Sequence, residues 1–215
     1  MGLALTCEVD QICNLINTKS KGKSRILIAI AGPPASGKST LAEAVVQCLN
    51  SGDTPRAALL PMDGYHLDNQ VLEPRGLLSR KGAPETFDAQ GFCRAIHQLA
   101  RQDGHGYYPV FDRSLDLAKA NAIAISADLP VIVVEGNYLL LNSEPWSSLK
   151  DVFALNIFVS PGLEVLQERL HQRWINHGLD NEAAMHRMVK NDLPNARLVV
   201  EHSREADLHI QQNNT

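Results

Sequence analysis

Short apolar runs alternate along the chain with segments in which apolar positions recur at helical spacing. The last of these apolar runs, residues 206–210, lies near the end of the chain and could add a fifth strand. This alternation predicts an α/β fold with a parallel sheet of about five strands flanked by helices. The main runs are apolar on both faces, as expected of buried parallel strands, and they are Ile26–Ala31, Ala57–Met62, Val131–Val134 with the following Glu135, and Ala154–Val159.

The segments between these runs have identifiable ends. Residues 1–24 predict an amphipathic N-terminal helix, Asp88 is placed to cap a later helix, and Gly178 would end another. The interval 64–87 is rich in glycine, proline and charge and is too long for a simple connection, so we interpret it as a substrate loop. The polar stretch from about 169 to 197 is typical of a helical lid.

The composition excludes several classes of function. The chain has 215 residues, which suits one domain spanning residues 1–215. Its net charge of −4 provides no basic field, so we expect no nucleic-acid partner. No apolar run is long enough to cross a bilayer, so we expect no membrane association. The 4 cysteines are scattered without a C-x-x-C pair, and the cytoplasm is the expected location.

A phosphate-binding loop follows the first apolar run. The pattern G-x-x-x-x-G-K-S lies between a predicted strand and a predicted helix, which is the context that a P-loop NTPase fold requires. The glycines allow backbone N–H groups to face phosphates, and the helix start adds the positive end of its dipole. Lys38 is expected to reach the β- and γ-phosphates, and Ser39 to ligate Mg²⁺. The predicted nucleotide-binding residues are Gly32, Pro33, Pro34, Ala35, Ser36, Gly37, Lys38, Ser39 and Thr40.

Two acidic residues end other predicted strands. Asp63 follows the second run, and Glu135 follows four apolar residues of the third. Because the carboxyl ends of parallel strands meet at one edge of a sheet, we expect Lys38, Asp63 and Glu135 to converge there. Glu135 would help Ser39 to hold the metal ion. The alternative for each of these two carboxylates is a purely structural role, as a loop residue that caps a helix.

The P-loop alone is compatible with a switch, a motor or a kinase. A switch GTPase needs a guanine-specific element such as N-K-x-D, which this sequence lacks, and motor ATPases are normally longer. A small-molecule kinase needs a carboxylate that orients the acceptor, a polar pocket and mobile arginines. Asp63 offers the carboxylate, while Arg169 and Arg173 lie four residues apart on one helix face. The pocket candidates are His66, Asp68, Asn69, Arg75, Arg80, Lys81 and the segment YYPVFDR, which contains Tyr108, Asp112 and Arg113.

Other interpretations of these residues remain open. Arg169 and Arg173 could form a solvated helix face with Glu164 and Glu168 as partners. A nucleotide-binding regulatory ATPase without a small-molecule acceptor would also use an intact P-loop. Its ATP hydrolysis would not depend on any metabolite.

The segment MDGYHLDNQVLEPRGLLSRKGAPETFD, residues 62–88, resembles the P-loop kinases that include bacterial pantothenate kinase, uridine kinase and phosphoribulokinase. The segment VVEGNYLL is similar to that family's strand with Glu-Gly, and the likeness covers the chain from about residue 25 onward. The resemblance implies that Asp63 orients or deprotonates the acceptor hydroxyl and that Glu135 helps to bind Mg²⁺–ATP. It also implies that Arg173 and Arg169 contact the transferring phosphate.

The acceptor end departs from the patterns of both best-matching kinases. The chain has Phe111-Asp112-Arg113 where pantothenate kinase has Tyr-Ser-His, and it lacks the His and Arg that follow P-x-Tyr-Asp in uridine kinase. It most resembles small bacterial proteins called nucleoside/nucleotide kinase or fructose transport system kinase.

These observations predict an ATP- and Mg²⁺-dependent kinase whose partner is a small-molecule hydroxyl acceptor. Nucleoside-, sugar- and pantothenate-like metabolites are the candidate acceptors, and the regulatory ATPase is the alternative. Arg75, Lys81 and Arg113 favour an acceptor that carries an anionic group. The sequence leaves the oligomeric state open, and a homodimer is one option.

Overall fold

A computed structural model describes residues 3–101 and 104–211 of the chain. Short 3₁₀ turns, including Met62–Tyr65, connect several of the regular elements. The helices and strands, numbered in chain order, are α1 (Leu3–Ser20), β1 (Ile26–Ala31), α2 (Lys38–Leu49), β2 (Ala57–Pro61), α3 (Asn69–Leu72), α4 (Ala89–Leu99), β3 (Gly106–Asp112), β4 (Leu117–Ile125), β5 (Val131–Gly136), β6 (Leu155–Val159), α5 (Leu163–Asn176), α6 (Asn181–Arg187), α7 (Leu193–His202) and β7 (Leu208–Ile210).

The central sheet is parallel and has five strands in the order β2-β5-β1-β6-β7. The predicted parallel sheet is therefore confirmed, including the short strand near the end of the chain. Every residue of β1 and β5 is buried, because helices cover both faces of the sheet. In the register, Ile28 of β1 pairs with Val133 of β5 and Leu155 of β6.

Two apolar clusters fill the space between the sheet and its helices. On one face, Ile12 and Ile16 of α1 and Leu41 of α2 pack against the strands. On the other face, α4 contributes Phe92 and Ile96. The predicted cap of α4 is confirmed, since the Asp88 carboxylate accepts a 2.8 Å hydrogen bond from the Gly91 N–H.

Strands β3 and β4 form a separate antiparallel hairpin that the sequence pattern did not predict. The segment YYPVFDR, predicted as part of a substrate pocket, is mostly strand β3. Neighbouring residues of a strand point to opposite faces, so Tyr107 is exposed while Tyr108 is buried in the core. The hairpin packs on the 3₁₀ turn after β2, and this contact brings it to the carboxyl end of the sheet.

The predicted lid region, residues 169–197, begins within α5 and continues through α6. A single π-helical turn, Met188–Asp192, then joins α6 to α7. Gly178 follows α5 with a φ of +86°, as expected of a glycine that ends a helix. Within the described residues, no helix is both long and apolar enough to span a membrane.

Candidate active site

The loop from Gly32 to Gly37 joins β1 to α2 at the carboxyl end of the sheet. Gly37 precedes α2 with a φ of +90°, a conformation that side chains disfavour. A Cβ atom on Gly32 would lie 2.1 Å from the Val159 carbonyl oxygen, so only glycine fits between the loop and β6. Lys38 is the first residue of α2, and its N–H belongs to the helix start that attracts anions.

Lys38 and Glu135 form a buried ion pair beneath this loop. Lys38 Nζ lies 3.6 Å from Glu135 Oε1 and 3.5 Å from the Pro33 carbonyl oxygen. Burial raises the pKa of Glu135, and the nearby ammonium of Lys38 opposes that shift. The neighbouring Ser39 hydroxyl also lowers the pKa of Glu135, so a hydroxyl and a carboxylate oxygen adjoin each other at the start of α2.

This pair of oxygen donors fits a magnesium ion that takes its remaining ligands from phosphates and water. Mg²⁺ prefers such sites to cages made of protein side chains alone. In the described part of the chain, no group of three or more His, Cys, Asp or Glu side chains could hold a metal ion by itself.

Asp63 lies in the 3₁₀ turn after β2, between two closely packed neighbours. Met62 is completely buried, and a Cβ atom on Gly64 would lie 2.3 Å from the Pro109 carbonyl oxygen of β3. The hairpin and the turn after β2 are therefore in direct backbone contact. Asp63 Oδ2 accepts a 3.5 Å hydrogen bond from Arg113 Nη2, so the carboxylate is paired but only partly covered.

His66 lies between two aromatic rings next to Asp63. Its ring centroid is 4.0 Å from that of Phe87 and 4.6 Å from that of Phe111. The Nδ1 atom is 2.7 Å from the Asp63 carbonyl oxygen. Burial lowers the pKa of His66, although the Asp63 charge acts in the opposite direction. His66 is therefore a mainly neutral, stacked ring in this wall of the site.

The Lys81 ammonium is already occupied by protein acceptors. Its Nζ donates 2.7 Å hydrogen bonds to Asn69 Oδ1 and to the Asp116 carbonyl oxygen, and it pairs with Asp116 Oδ2 at 2.9 Å. It also lies 5.1 Å from the ring centre of Phe111. Lys81 thus ties the later part of the substrate loop, residues 64–87, to α3 within the same loop and to the hairpin turn.

The lid, residues 169–197, contributes arginines from two helices. Arg169 Nη1 donates to the Ser36 carbonyl oxygen at 3.4 Å. The guanidinium carbons of Arg187 and Arg173 lie 4.7 Å and 5.7 Å from the Trp174 ring centre. The Nε atoms of both arginines are buried and lack a hydrogen-bond partner among the described residues. Desolvation lowers the pKa of Arg173, which indicates a guanidinium held away from bulk water.

Asp192, in the π-helical turn, faces these arginines. Its Oδ2 atom accepts a hydrogen bond from Trp174 Nε1. Burial raises the pKa of Asp192, while the Trp174 hydrogen bond and the charges of Arg173 and Arg187 lower it. The lid therefore contains its own counter-ion.

Glu135 is not part of the described lining, but most of the other groups border one cavity of about 1130 Å³. It brings together many of the residues predicted from the sequence, namely Pro34, Ala35, Gly37, Lys38, Ser39, Thr40, Asp63, His66, Lys81, Arg113, Arg169 and Arg173. Phe111, which belongs to the predicted pocket segment YYPVFDR, also lines the cavity. The sequence reasoning missed other lining residues, including Asp116, Asn137, Trp174, Arg187, Asp192 and Asn195. Asn137 could have been found, because it follows the strand-end pair Glu135-Gly136. The lid residues gave no comparable signal.

Six of the pocket candidates lie outside the described cavity lining, namely Asp68, Asn69, Arg75, Arg80, Tyr108 and Asp112. Tyr108 is 4% exposed and packs in the apolar core, because strand β3 turns it away from the cavity. Arg75 is exposed at the end of a 3₁₀ turn and does not contribute to the described cavity lining. Asp112 accepts hydrogen bonds from the Ser114 N–H and hydroxyl and pairs with Lys119, so it stabilises the hairpin turn instead.

Comparisons with known proteins agree with this arrangement. Residues 27–215 match the model of the phosphoribulokinase / uridine kinase family. The Escherichia coli K12 protein YggC is 34% identical over 190 residues, which cover 87% of this chain and 78% of YggC. A Schizosaccharomyces pombe protein provisionally named uridine kinase C227.14 is 29% identical over 211 residues, covering 94% and 90% of the two chains.

A solved structure also superimposes closely on the whole fold. It is a crystal structure of a Silicibacter sp. TM1040 protein provisionally named a fructose transport system kinase, 42% identical with a TM-score of 0.86. The match covers 94% of this chain and 98% of that one. The chain belongs to the phosphoribulokinase / uridine kinase family of P-loop kinases. It is accordingly an ATP-dependent phosphotransferase with an alcohol group as acceptor.

Proposed function

We propose that the protein transfers the γ-phosphoryl group of ATP to a hydroxyl of a small nucleoside-, sugar- or pantothenate-like metabolite that carries an anionic group. The observation that carries this proposal is the shared cavity of Lys38 and Asp63. The P-loop and Asp63 follow strands β1 and β2, which are separated in the sheet by β5. The donor phosphates and the acceptor hydroxyl would meet between those strands.

Asp63 is the group that orients, and in the transition state deprotonates, the acceptor hydroxyl. Its backbone lies between the closely packed Met62 and Gly64, which supports a positioning task. Arg113 Nη2 donates a hydrogen bond to this carboxylate at 3.5 Å, which helps to orient it. Positioning of this kind matters because phosphoryl transfer depends mainly on in-line geometry and charge stabilisation.

On the donor side, the cationic groups that would neutralise the ATP phosphates come from two elements, the P-loop and the lid. Lys38 would contact the β- and γ-phosphates, while Ser39 and Glu135 would hold Mg²⁺ bound to the nucleotide. The metal ion would supply neutralisation of the phosphate charge. Arg169 and Arg173 approach from the lid, and their position in the same cavity supports contact with the transferring group.

The acceptor end favours a ligand with an anionic group. Lys81 is neutralised by Asp116, and Arg75 lies outside the described lining, so neither supports this inference. Arg113 does, because more than half of its side chain is exposed while it borders the cavity. Arg187, which the sequence reasoning did not identify, borders the same cavity but faces Asp192, so it is not assigned to the acceptor. A carboxylate or phosphate on the acceptor would pair with the Arg113 guanidinium group.

A metabolite-library screen for acceptor-stimulated ADP release tests the proposal. We expect stimulation by at least one anionic hydroxyl compound, and a loss of about 10²–10⁴-fold in acceptor-dependent kcat for Asp63→Asn with ATP affinity retained. Asp53→Asn, an exposed carboxylate in the loop before β2, is the matched control. ADP release that no metabolite stimulates would contradict the proposal and favour the regulatory ATPase. Turnover of neutral acceptors alone would contradict the anionic group.

A further inference from the structure

Arg80 joins the substrate loop to the lid through a set of hydrogen bonds. Its Nη1 donates to Asn191 Oδ1 at 2.9 Å and to the Lys190 carbonyl oxygen at 3.2 Å. Its Nη2 donates to Asn195 Oδ1 at 3.4 Å. The Nε atom of the same guanidinium lies 3.4 Å from Glu85 Oε1, within the substrate loop. One side chain therefore spans two segments more than 100 residues apart in sequence.

The lid also donates a hydrogen bond to the substrate loop. Asn191 Nδ2 donates to the Lys81 carbonyl oxygen at 3.0 Å, and Asn195 Nδ2 lies 3.4 Å from Asn191 Oδ1. Both asparagines are 2% exposed. Buried amides are costly unless their hydrogen bonds are made, so separation of the loop from the lid would leave these groups unsatisfied. The contact between the substrate loop and the lid should therefore form or break as one cooperative unit.

The π-helical turn Met188–Asp192 links the contact with Arg80 to the arginines of the lid. Asn191 faces Arg80, while the next residue, Asp192, accepts the hydrogen bond of Trp174. Trp174 lies next to Arg173 on α5. A continuous path of contacts thus runs from the substrate loop to the lid arginines. Single π-helical turns inside helical segments frequently occur at functional sites.

We infer that Arg80 is a positioning residue that keeps the lid arginines in register with the substrate loop. Arg80 acts through Asn191 and Asn195, and it is not itself part of the described cavity lining. This inference rests on the proposed function, since it assigns the lid arginines to the transferring phosphate. Its consequence is that the loop and the lid move together, so that the arginines reach the phosphates only when the loop is in place.

Fluorescence of Trp174 provides a direct readout of this coupling. The chain has 2 tryptophans, and Trp146 is buried in the core, so binding of the ATP analogue AMP-PNP with Mg²⁺ should alter mainly Trp174 emission. We expect Arg80→Ala to reduce that change to less than about half, with the Kd for AMP-PNP within about threefold of the wild-type value. Arg197→Ala, an exposed arginine on α7, is the control and should leave the signal unchanged.

Kinetics and amide hydrogen exchange distinguish a positioning role of Arg80 from a loss of folded protein in the Arg80 variants. Without any acceptor, we expect Arg80→Ala to lower kcat for MgATP hydrolysis by about tenfold at an unchanged KM, with AMP-PNP stoichiometry retained. Amide exchange should rise in both 77–86 and 188–198. Arg80→Lys keeps the charge but cannot bridge both asparagines, so it should show a smaller loss of the same kind.

A normal Trp174 response in both Arg80 variants, or faster exchange confined to residues 77–86, would overturn the inference. If Arg80→Ala does not fold, Arg80→Lys alone decides between these outcomes. No acceptor is used in any of these measurements. A failed acceptor screen would therefore leave this test informative, and a normal response here would not affect the screen.

Discussion

The ammonium of Lys38 lies 3.6 Å from the Glu135 carboxylate, and both side chains are buried. This pair neutralises the P-loop lysine when no phosphate is near. A buried carboxylate next to the Ser39 hydroxyl also offers oxygen ligands to Mg²⁺. The arrangement therefore makes a specific prediction about how metal and nucleotide binding depend on Glu135.

Removal of the Glu135 charge should weaken metal binding more than nucleotide binding. We expect Glu135→Gln, which keeps the shape of the side chain, to raise the Mg²⁺ concentration needed for half-maximal ATP turnover by about tenfold or more. ATP binding in the presence of EDTA should persist, because the P-loop N–H groups and Lys38 remain. Calorimetric titrations of ATP at several Mg²⁺ concentrations measure both quantities. An unchanged Mg²⁺ requirement would exclude Glu135 from the metal site.

The backbone contact between Gly64 and Pro109 should be sensitive to one added methyl group. A Cβ atom at position 64 would lie 2.3 Å from the Pro109 carbonyl oxygen. We therefore expect Gly64→Ala to lower the free energy of unfolding by about 1–3 kcal/mol and to displace the adjacent Asp63. Urea unfolding monitored by circular dichroism measures the loss.

Gly52→Ala is the matched control for this change. A Cβ atom at Gly52 would have no neighbour within 4 Å, and its φ is not in the left-handed region. Its effect should stay within about 0.5 kcal/mol of the wild-type value. Equal stability of the two variants would show that the hairpin moves aside without cost, and Asp63 would then be less firmly held than the structure indicates.

The stacked His66 ring predicts a pH dependence of stability. Burial lowers its folded-state pKa below the ordinary value of 6.5, so the unfolded chain binds the proton more readily. This contribution to stability is complete above pH 6.5 and is lost progressively as the pH falls below it. His66→Phe retains a ring between Phe87 and Phe111 but removes the titrating group. The difference in Tm between wild type and His66→Phe should therefore change between neutral pH and pH 5, and a pH-independent difference would contradict the prediction.

The central sheet could be predicted from the sequence because its strands are buried on both faces and so form short, fully apolar runs. The hairpin β3–β4 could not, since much of β4 is exposed and β3 contains Pro109. Without the strand, the alternation between Tyr107 and Tyr108 was missed, and Tyr108 was wrongly predicted to bind the acceptor. The burial of that side chain depends on the hairpin's packing.

The donor side of the candidate site was also predictable, because a P-loop and a strand-end carboxylate have fixed positions relative to the sheet. The positions of the lid residues, in contrast, could not be predicted from the sequence. Asn191 and Asp192 reach their positions through a π-helical turn, which interrupts the ordinary helical period. No spacing rule applied to the sequence would have aligned them with Trp174 or with Arg80.

Asp192 gives the last prediction, because it occupies the position of an anion among the lid arginines. Its carboxylate accepts the Trp174 hydrogen bond and faces Arg173 and Arg187, whose Nε atoms are buried without partners among the described residues. Asp192→Asn should preserve the hydrogen bond and remove the charge. The free protein should then be less stable, since two guanidinium groups lose their counter-ion.

A bound triphosphate would supply the missing negative charge in this variant. We therefore expect AMP-PNP with Mg²⁺ to raise the Tm of Asp192→Asn by more than it raises the wild-type Tm, and to bind with severalfold higher affinity. Asp180→Asn serves as a control, because Asp180 caps α6 and lies outside the described cavity lining. Its cap remains after the change, so its response to AMP-PNP should match the wild type. If Asp192→Asn binds AMP-PNP no more tightly, then the lid arginines do not exchange Asp192 for the nucleotide phosphates, and their contact with the transferring group would have to be abandoned.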